Sequence, residues 1–247
     1  MKPKSQFRNL EVVSTCELSQ HLKRIVFTGE DLEDFPSDYE GGYVNVILLE
    51  DKSLIQEGER PKMRSYTIAE FDTSKKQLTI DFMINHHNGH TSVWASRTKV
   101  GDRIVIAGPG PRKLDNFKSN KYLFFGDLTS VNAVRGSVNK LSKESKVEIN
   151  LFVPTKDDFF DLNLKNPFSV NWIVADESDY LTDAARKSQL LDSKTIVFAA
   201  SEAKRIKSLR DYLTKERGLV NDSLFISGYW REGLTDEQYR AEKHKYK

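Results

Sequence analysis

Two periods of apolar positions run along this chain. Up to about residue 107, apolar and polar residues alternate over short stretches, the spacing of half-buried strands. Leu10 to Cys16, Leu22 to Phe27, Tyr43 to Leu49, Arg64 to Ile68, Gln77 to Ile84 and Asp102 to Ala107 each read as a strand. Gly29, Pro36, Gly41-Gly42, Asp72 to Lys75 and Gly101-Asp102 read as the turns between them. Only His90 to Ser96 suggests a helix here, with Thr91 or Ser92 as its cap. Strands at this density predict a small antiparallel β-barrel.

Gly108-Pro109-Gly110-Pro111 ends that pattern, and the period changes. Tyr122 to Phe125 is a short apolar strand ending in Gly126-Asp127, and Thr129 is the expected cap of a helix reaching about Leu141. Val147 to Val153, Val170 to Val174 and Thr195 to Ala199 follow as strands, then a helix from Ser201 to about Glu216, stopped by Gly218. Leu224 to Ile226 is a last strand, and a polar helix capped by Thr235 is expected to run to about Lys243. Strand–helix alternation predicts an α/β domain with a parallel sheet and a crevice at the strand carboxyl ends. The expected division is a barrel domain over 1–115 and an α/β domain, with its C-terminal helix, over 116–247.

Composition narrows the function. Of 247 residues, 38% are hydrophobic and 30% charged, enough for a sizeable core under a solvated surface. A net charge of +2 is too mild for a general nucleic-acid binder. The single cysteine, Cys16, excludes an intrachain disulfide and a multi-cysteine metal site built by this chain alone. No apolar run approaches membrane length, and the N-terminal stretch lacks a secretory apolar core, so a cytoplasmic monomer without a membrane partner is expected.

Several segments carry candidate chemistry. Tyr66 offers an aromatic face, Thr67 a hydroxyl and an amide, and Arg64 a planar fork for phosphate oxygens, all on one short strand. A ring plus a phosphate is what a flavin nucleotide presents; the plainer reading is a strand with one core aromatic. Gly89-His90-Thr91-Ser92 opens a helix, where amides and hydroxyls suit a pyrophosphate or serve as an ordinary cap. Asp81 to Asn85 precedes it, able to lend main-chain groups to a ligand as well as to build the core. His86, His87 and His90 are close in sequence, but with Asp81 as the one nearby carboxylate they read as solvated loop residues, and no metal site is expected. Gly126 to Ser130 follows a strand and opens a helix, without the Gly-x-Gly-x-x-Gly fingerprint. Lys204, Arg205, Lys207 and Arg210 form a solvated helix face or a docking site for an acidic partner or phosphate.

With Ser227-Gly228-Tyr229-Trp230-Arg231-Glu232-Gly233, the chain resembles the siderophore-interacting proteins, the ferric-siderophore reductases among ferredoxin-reductase-like flavoproteins. The elements stand in order from about Arg8: Arg64-Ser65-Tyr66-Thr67, Asp81-Phe82, Gly89-x-x-Ser92-x-Trp94-Ala95, Gly101-Asp102, Gly108-Pro109, Gly126-Asp127, Glu216-Arg217-Gly218 and Ser227-Gly228-Tyr229-Trp230. The resemblance implies FAD in a ferredoxin-reductase-type barrel and a second domain that meets NADH, NADPH or a ferredoxin. It implies one-electron reduction of a ferric siderophore and release of ferrous iron. Arg64 is implied to bind the FAD phosphates, Tyr66 to lie on the flavin ring, Thr67 to sit near the reactive ring nitrogen, and Thr91 with Ser92 to close on the pyrophosphate. Trp230 is implied to lie near the cofactor, and Ser65, Asp81, Met83, Asn85 and Gly89 complete the expected cofactor site. Gly126, Asp127, Thr129, Ser201 and Glu202 are the expected donor site.

The chain departs from the family pattern at Asn85-His86, His90-Thr91, Leu128, Ser130 and Ser201, and has Asn45 where many members have lysine. The changes at Leu128, Ser130 and Ser201 fall where a nicotinamide nucleotide is expected to dock and leave room for ferredoxin. Flavin-driven electron transfer needs no Ser-His-Asp set or carboxylate pair, and none is evident. Lys62, Arg112, Lys113 and Lys118 are the expected attraction for an anionic ferric complex, or else solvated loop charges. The other readings are a flavin or ferredoxin reductase with a different acceptor, and a siderophore carrier that binds without reducing.

Overall fold

Alternation along the first half becomes a closed barrel. The structure, a computed structural model, describes residues 7–48, 63–85, 89–175, 178–235, 238–239 and 241–242. The chain divides into two compact units, Met1–Lys113 and Leu114–Lys247. In the first, six strands, β1 (Phe7–Ser19), β2 (Leu22–Thr28), β3 (Tyr43–Leu48), β4 (Arg64–Asp72), β5 (Gln77–Met83) and β6 (Arg103–Gly110), close in the order β1-β2-β5-β4-β3-β6. Closure depends on the length of β1. Its first part pairs with β6, from Phe7–Ala107 to Glu11–Arg103, and its later part with β2, with a register shift between Val12 and Ser14. Such an irregularity bends one strand so that it serves two neighbours, and no sheet edge is left open. Val12, Ile25, Phe27, Val44, Val46, Ile68, Ile80, Phe82, Ile104 and Ile106 fill the interior. Helix α1 (His90–Arg97) packs Ala95 and Trp94 against that core.

The second unit is a five-stranded parallel sheet in the order β11-β10-β7-β8-β9. Its strands are β7 (Lys121–Asp127), β8 (Lys146–Val153), β9 (Val170–Val174), β10 (Ile196–Glu202) and β11 (Leu224–Trp230), with helices α2 (Val131–Val138), α3 (Tyr180–Lys187) and α4 (Ala203–Asp211). The central strands β7 and β10 are buried almost throughout, as expected of parallel strands covered on both faces. Leu123, Phe125, Val197, Ala199, Leu209 and Leu213 form one core layer, and Phe124 and Phe198 pack on the other with ring centres 5.8 Å apart.

Three details differ from the sequence reading. The helix expected from Thr129 begins at Val131, with Ser130 at its N-cap position. Helix α3 carries mostly small and charged residues and gives no apolar run to read. The helix after β10 changes at Tyr212 to a wider turn, which ends before Gly218 in the left-handed region at φ 67°. Thr235 does open a turn, accepting from Gln238 N at 3.3 Å while Gln238 Oε1 accepts from Thr235 N at 2.8 Å. The expected ends at Leu49 and Lys243 lie outside the described residues, as do Lys62, His86 and His87.

Candidate functional site

Pairing between β4 and β5 begins at Ile68–Ile80. Ahead of that point, Arg64 to Thr67 pairs with β3, from Val46–Arg64 to Tyr43–Thr67. Asp81 to Met83 pairs with β2, from Arg24–Asp81 to Leu22–Met83. Among the described residues the facing sides of these two segments carry no β4–β5 ladder. Strand alternation puts Arg64 and Tyr66 on one face, and Ser65 with Thr67 on the other. Arg64 is buried and Tyr66 half-buried, its ring centre 4.5 Å from that of Phe82. Trp94 of α1 stands against the same Phe82 ring at 5.8 Å. The ring of Tyr66 is thereby held from behind.

Helix α1 supplies the polar end. Gly89 is its N-cap, its first turn holds no acidic side chain, and Thr91 and Ser92 are 2% and 3% exposed. The Thr91 hydroxyl is buried without a hydrogen-bond partner. A buried hydroxyl costs stability unless something accepts from it. Beside the amides of a helix start, a phosphate oxygen is the acceptor that fits. The chemistry of these donors therefore suits the diphosphate of FAD.

The other cofactor candidates sort differently. Asp81 is taken by its strand neighbour: Arg24 Nε and Nη2 donate to its two carboxylate oxygens at 2.8 and 2.9 Å. That bidentate pair raises the Arg24 pKa above its usual value. Ser65 is exposed and donates to Asn45 Oδ1 at 2.8 Å. Thr67 and Met83 are half-buried. Asn85 has a left-handed backbone, φ 55°, and its side chain donates to the Gln20 carbonyl at 3.1 Å.

The expected basic residues do not act alike. Arg112 donates to the carbonyls of Asp38 and Glu40 at 2.7 and 3.1 Å and lies 3.5 Å from the Asp38 carboxylate. It latches that loop. Lys113, in the first unit, and Lys118, in the second, are exposed.

In the second unit one carboxylate gathers the expected donor residues. Asp127 Oδ1 accepts from Thr129 N at 2.8 Å and from the Thr129 hydroxyl. Its Oδ2 accepts from Ser201 Oγ at 2.6 Å and from Trp230 Nε1 at 2.8 Å. With donors on both oxygens, Asp127 is a hub that ties the ends of β7, β10 and β11 together. Trp230, implied to be near the flavin, has its indole N–H fixed here. Glu202 is fully buried and caps α4, accepting from Lys204 N at 2.6 Å and Arg205 N at 3.0 Å. Its carboxylate holds this chain's own helix start. Arg205 lies over the Tyr180 ring at 4.7 Å, and Tyr180 stacks on Phe152 at 4.5 Å. Burial, aided by the Asp127 carboxylate, pushes the phenols of Tyr180 and Tyr229 up to about 12.

Tyr180 and Arg24 were not among the expected site residues, and Ser130 was expected only as part of a helix start. Ser130 and Tyr180 gain their meaning from partners about 70 and 50 positions away, beyond the reach of local patterns. Arg24 was legible only as half of a cross-strand pair with Asp81. Among the described residues, no three histidine, cysteine, aspartate or glutamate side chains group to hold a metal. No described helix is long and apolar enough to cross a membrane.

Comparison with known proteins decides the family. A family model described as siderophore-interacting protein matches residues 119–233, and one described as siderophore-interacting FAD-binding domain matches residues 11–113. The chain belongs to the siderophore-interacting protein family. It is 25% identical over 254 residues to the ferric vibriobactin reductase ViuB of Vibrio cholerae, covering 96% of this chain and 94% of that one. It is 27% identical over 219 residues to the NADPH-dependent ferric-chelate reductase of Escherichia coli, covering 83% and 85%. The crystal structure of the siderophore-interacting protein SipS from Aeromonas hydrophila superposes with a TM-score of 0.84 at 26% identity, covering 99% of both chains. The barrel is thus the FAD-binding domain of this family, and siderophores are the family's ligands.

Proposed function

We propose that this protein is an FAD-dependent reductase of ferric siderophores that releases ferrous iron in the cytoplasm. The observation that carries the reading is the start of α1, where a buried Thr91 hydroxyl lacks an acceptor beside helix amides in a barrel of the FAD-binding type. Arg64, Gly89, Thr91 and Ser92 hold the diphosphate. Tyr66, braced by Phe82, backs the flavin ring, and Thr67 with the Asp81 to Met83 segment lines its edge. Bound FAD supplies the electron-transfer chemistry that no side chain here possesses. The names of the relatives, two of them ferric reductases, support the acceptor.

Lys113 and Lys118, with Lys62, raise the local concentration of an anionic ferric complex through long-range attraction. Reduction weakens the grip of hard oxygen donors on iron, which turns binding into release. Purification tests the reading at once: the protein emerges with a flavin spectrum, and Arg64→Ala sheds FAD on gel filtration, with affinity falling about tenfold to a hundredfold for one lost charge-assisted contact. A colourless protein that binds a ferric siderophore unchanged would make it a carrier. A flavoprotein inert to every ferric complex would have another acceptor.

A further inference from the structure

Lys23 is 7% exposed, the one buried lysine among the described residues. A lysine is almost never so enclosed unless its charge is held. Its ammonium donates to the Ser96 carbonyl at 3.3 Å and to the Thr98 carbonyl at 3.0 Å. Both acceptors are neutral main-chain groups, and among the described residues no carboxylate pairs with it. An apolar side chain of the same length would fill this space without taking a charge out of water. What the ammonium adds is a bond to the end of a helix.

That helix is α1. The last carbonyls of a helix have no partner within it and must find one elsewhere. The Trp94 carbonyl accepts from the Thr98 amide at 2.9 Å and from Thr98 Oγ1 at 2.8 Å, and the Val93 carbonyl from Ser96 Oγ at 2.8 Å. The Ser96 and Thr98 carbonyls are taken by Lys23, 73 and 75 positions earlier in the chain. A cation at this end also complements the helix dipole.

Lys23 stands on β2 opposite Phe82 of β5. Phe82 is the ring that meets Trp94 of α1 at 5.8 Å and Tyr66 at 4.5 Å. One cross-strand pair therefore anchors α1 twice, through an apolar contact at Trp94 and a charged one at the C-terminal end. The same pair backs Tyr66. Apolar packing is non-directional and lets a helix tilt or slide, whereas hydrogen bonds of defined geometry fix it. Over eight residues α1 is only about 12 Å long, so a shift at its C-terminal end reaches Thr91 and Ser92.

We propose that Lys23 is a positioning residue for the cofactor: its ammonium pins the C-terminal end of α1 to β2 and so holds Thr91 and Ser92 where the diphosphate of FAD binds. This rests on the flavin reading above. Lys23 does not touch the ligand in this account; it acts through the helix.

The test uses the full chain stripped of flavin. FAD is titrated in by calorimetry for the parent, Lys23→Met, Thr91→Val and the double variant, and circular dichroism establishes that each folds. Lys23→Met should bind FAD at least about tenfold more weakly, the worth of one hydrogen bond to a charged acceptor. In the Thr91→Val background the same substitution should cost less than about threefold, because both changes remove one phosphate contact. Hydrogen exchange reads the helix itself. The Val93 and Thr98 amides should exchange at least about tenfold faster in Lys23→Met, while Ile25 and Ile80 of the β2–β5 ladder keep the parent's rates. A folded Lys23→Met that binds FAD within about twofold of the parent would overturn the inference. So would fully multiplicative losses in the double variant, or α1 amides that exchange as in the parent. Loss of protection across the ladder as well would make Lys23 a residue of the whole barrel and overturn it too. If Lys23→Met does not fold, Lys23→Gln is measured against the same limits. A parent that binds no FAD defeats the flavin reading, and the exchange rates then decide by themselves whether Lys23 pins α1.

Discussion

Trp230 Nε1 donates to Asp127 Oδ2 at 2.8 Å, joining the end of β11 to the end of β7 across the intervening β10. Ser201 of β10 donates to the same oxygen at 2.6 Å. Three strand ends of the second unit therefore converge on one carboxylate. Removing it leaves a buried hydroxyl and a half-buried indole N–H without their acceptor. Asp127→Ala should destabilise the protein by about 2–4 kcal/mol in urea, the cost of orphaned donors once held by a charged acceptor. The indole N–H resonance of Trp230 should shift in the same variant. A loss within about 0.5 kcal/mol, the size of an ordinary surface change, would deny Asp127 this role.

Thr91 gives a prediction with two signs. Its hydroxyl is buried and unpartnered. Thr91→Val keeps the shape and removes the unsatisfied group, so the FAD-free protein should melt at the same temperature or higher. The FAD-loaded protein should lose affinity by roughly tenfold, the worth of one hydrogen bond to a charged acceptor. Melting curves with and without added FAD separate the two. Equal FAD affinity in parent and variant would place the phosphates elsewhere.

Arg112 should prove structural. Its bonds to the Asp38 and Glu40 carbonyls hold a loop in which Asp38 adopts φ 65°. Arg112→Ala should cost about 1–2 kcal/mol of stability. Lys113→Ala with Lys118→Ala should leave stability within about 0.5 kcal/mol and instead weaken the salt dependence of ferric-complex binding, since exposed charges are screened over about 8–10 Å near physiological ionic strength. The opposite pattern, read from urea melts and salt titrations, would return Arg112 to the substrate site.

The raised phenols set an alkaline limit. Tyr180 and Tyr229 are moved from 10.0 to about 12, chiefly by burial. The folded chain holds these protons more tightly than the unfolded one. The contribution is therefore whole below pH 10 and is lost as pH rises toward 12. Tyr180→Phe does not titrate, so its stability relative to the parent should improve between those values. A parent–variant difference that stays constant from pH 9 to 12, within the error of urea melts, would contradict the shift.

Much of this architecture was legible along the chain. The strands of the barrel announced themselves through alternation, as in Val44, Val46 and Leu48 of β3, because each faces solvent on one side only. The continuous apolar run of Tyr122 to Phe125 marked a strand covered on both faces. Helix α3 was hidden because its buried side, Leu181, Thr182 and Ala185, is barely apolar. Site chemistry was less legible than fold. Asp81 and Arg112 have the composition of ligand contacts, and their side chains also have partners distant in sequence, Arg24 in one case and the loop at Asp38 in the other. Ser130 and Ser201 stood out in sequence as departures from the family pattern, but only the meeting of β7 with β10 shows the partners of their hydroxyls, the Ala200 carbonyl and the Asp127 carboxylate.

The central claim is that this chain, loaded with FAD, passes electrons to siderophore-bound ferric iron. The direct measurement reduces the purified protein anaerobically, removes excess reductant, and mixes it with a ferric siderophore in the presence of a ferrous-specific chelator. The account predicts that the oxidised flavin band returns as the ferrous complex appears, with about two ferrous ions captured per flavin, because a fully reduced flavin carries two electrons. A flavin that stays reduced while the ferric complex remains intact would contradict it.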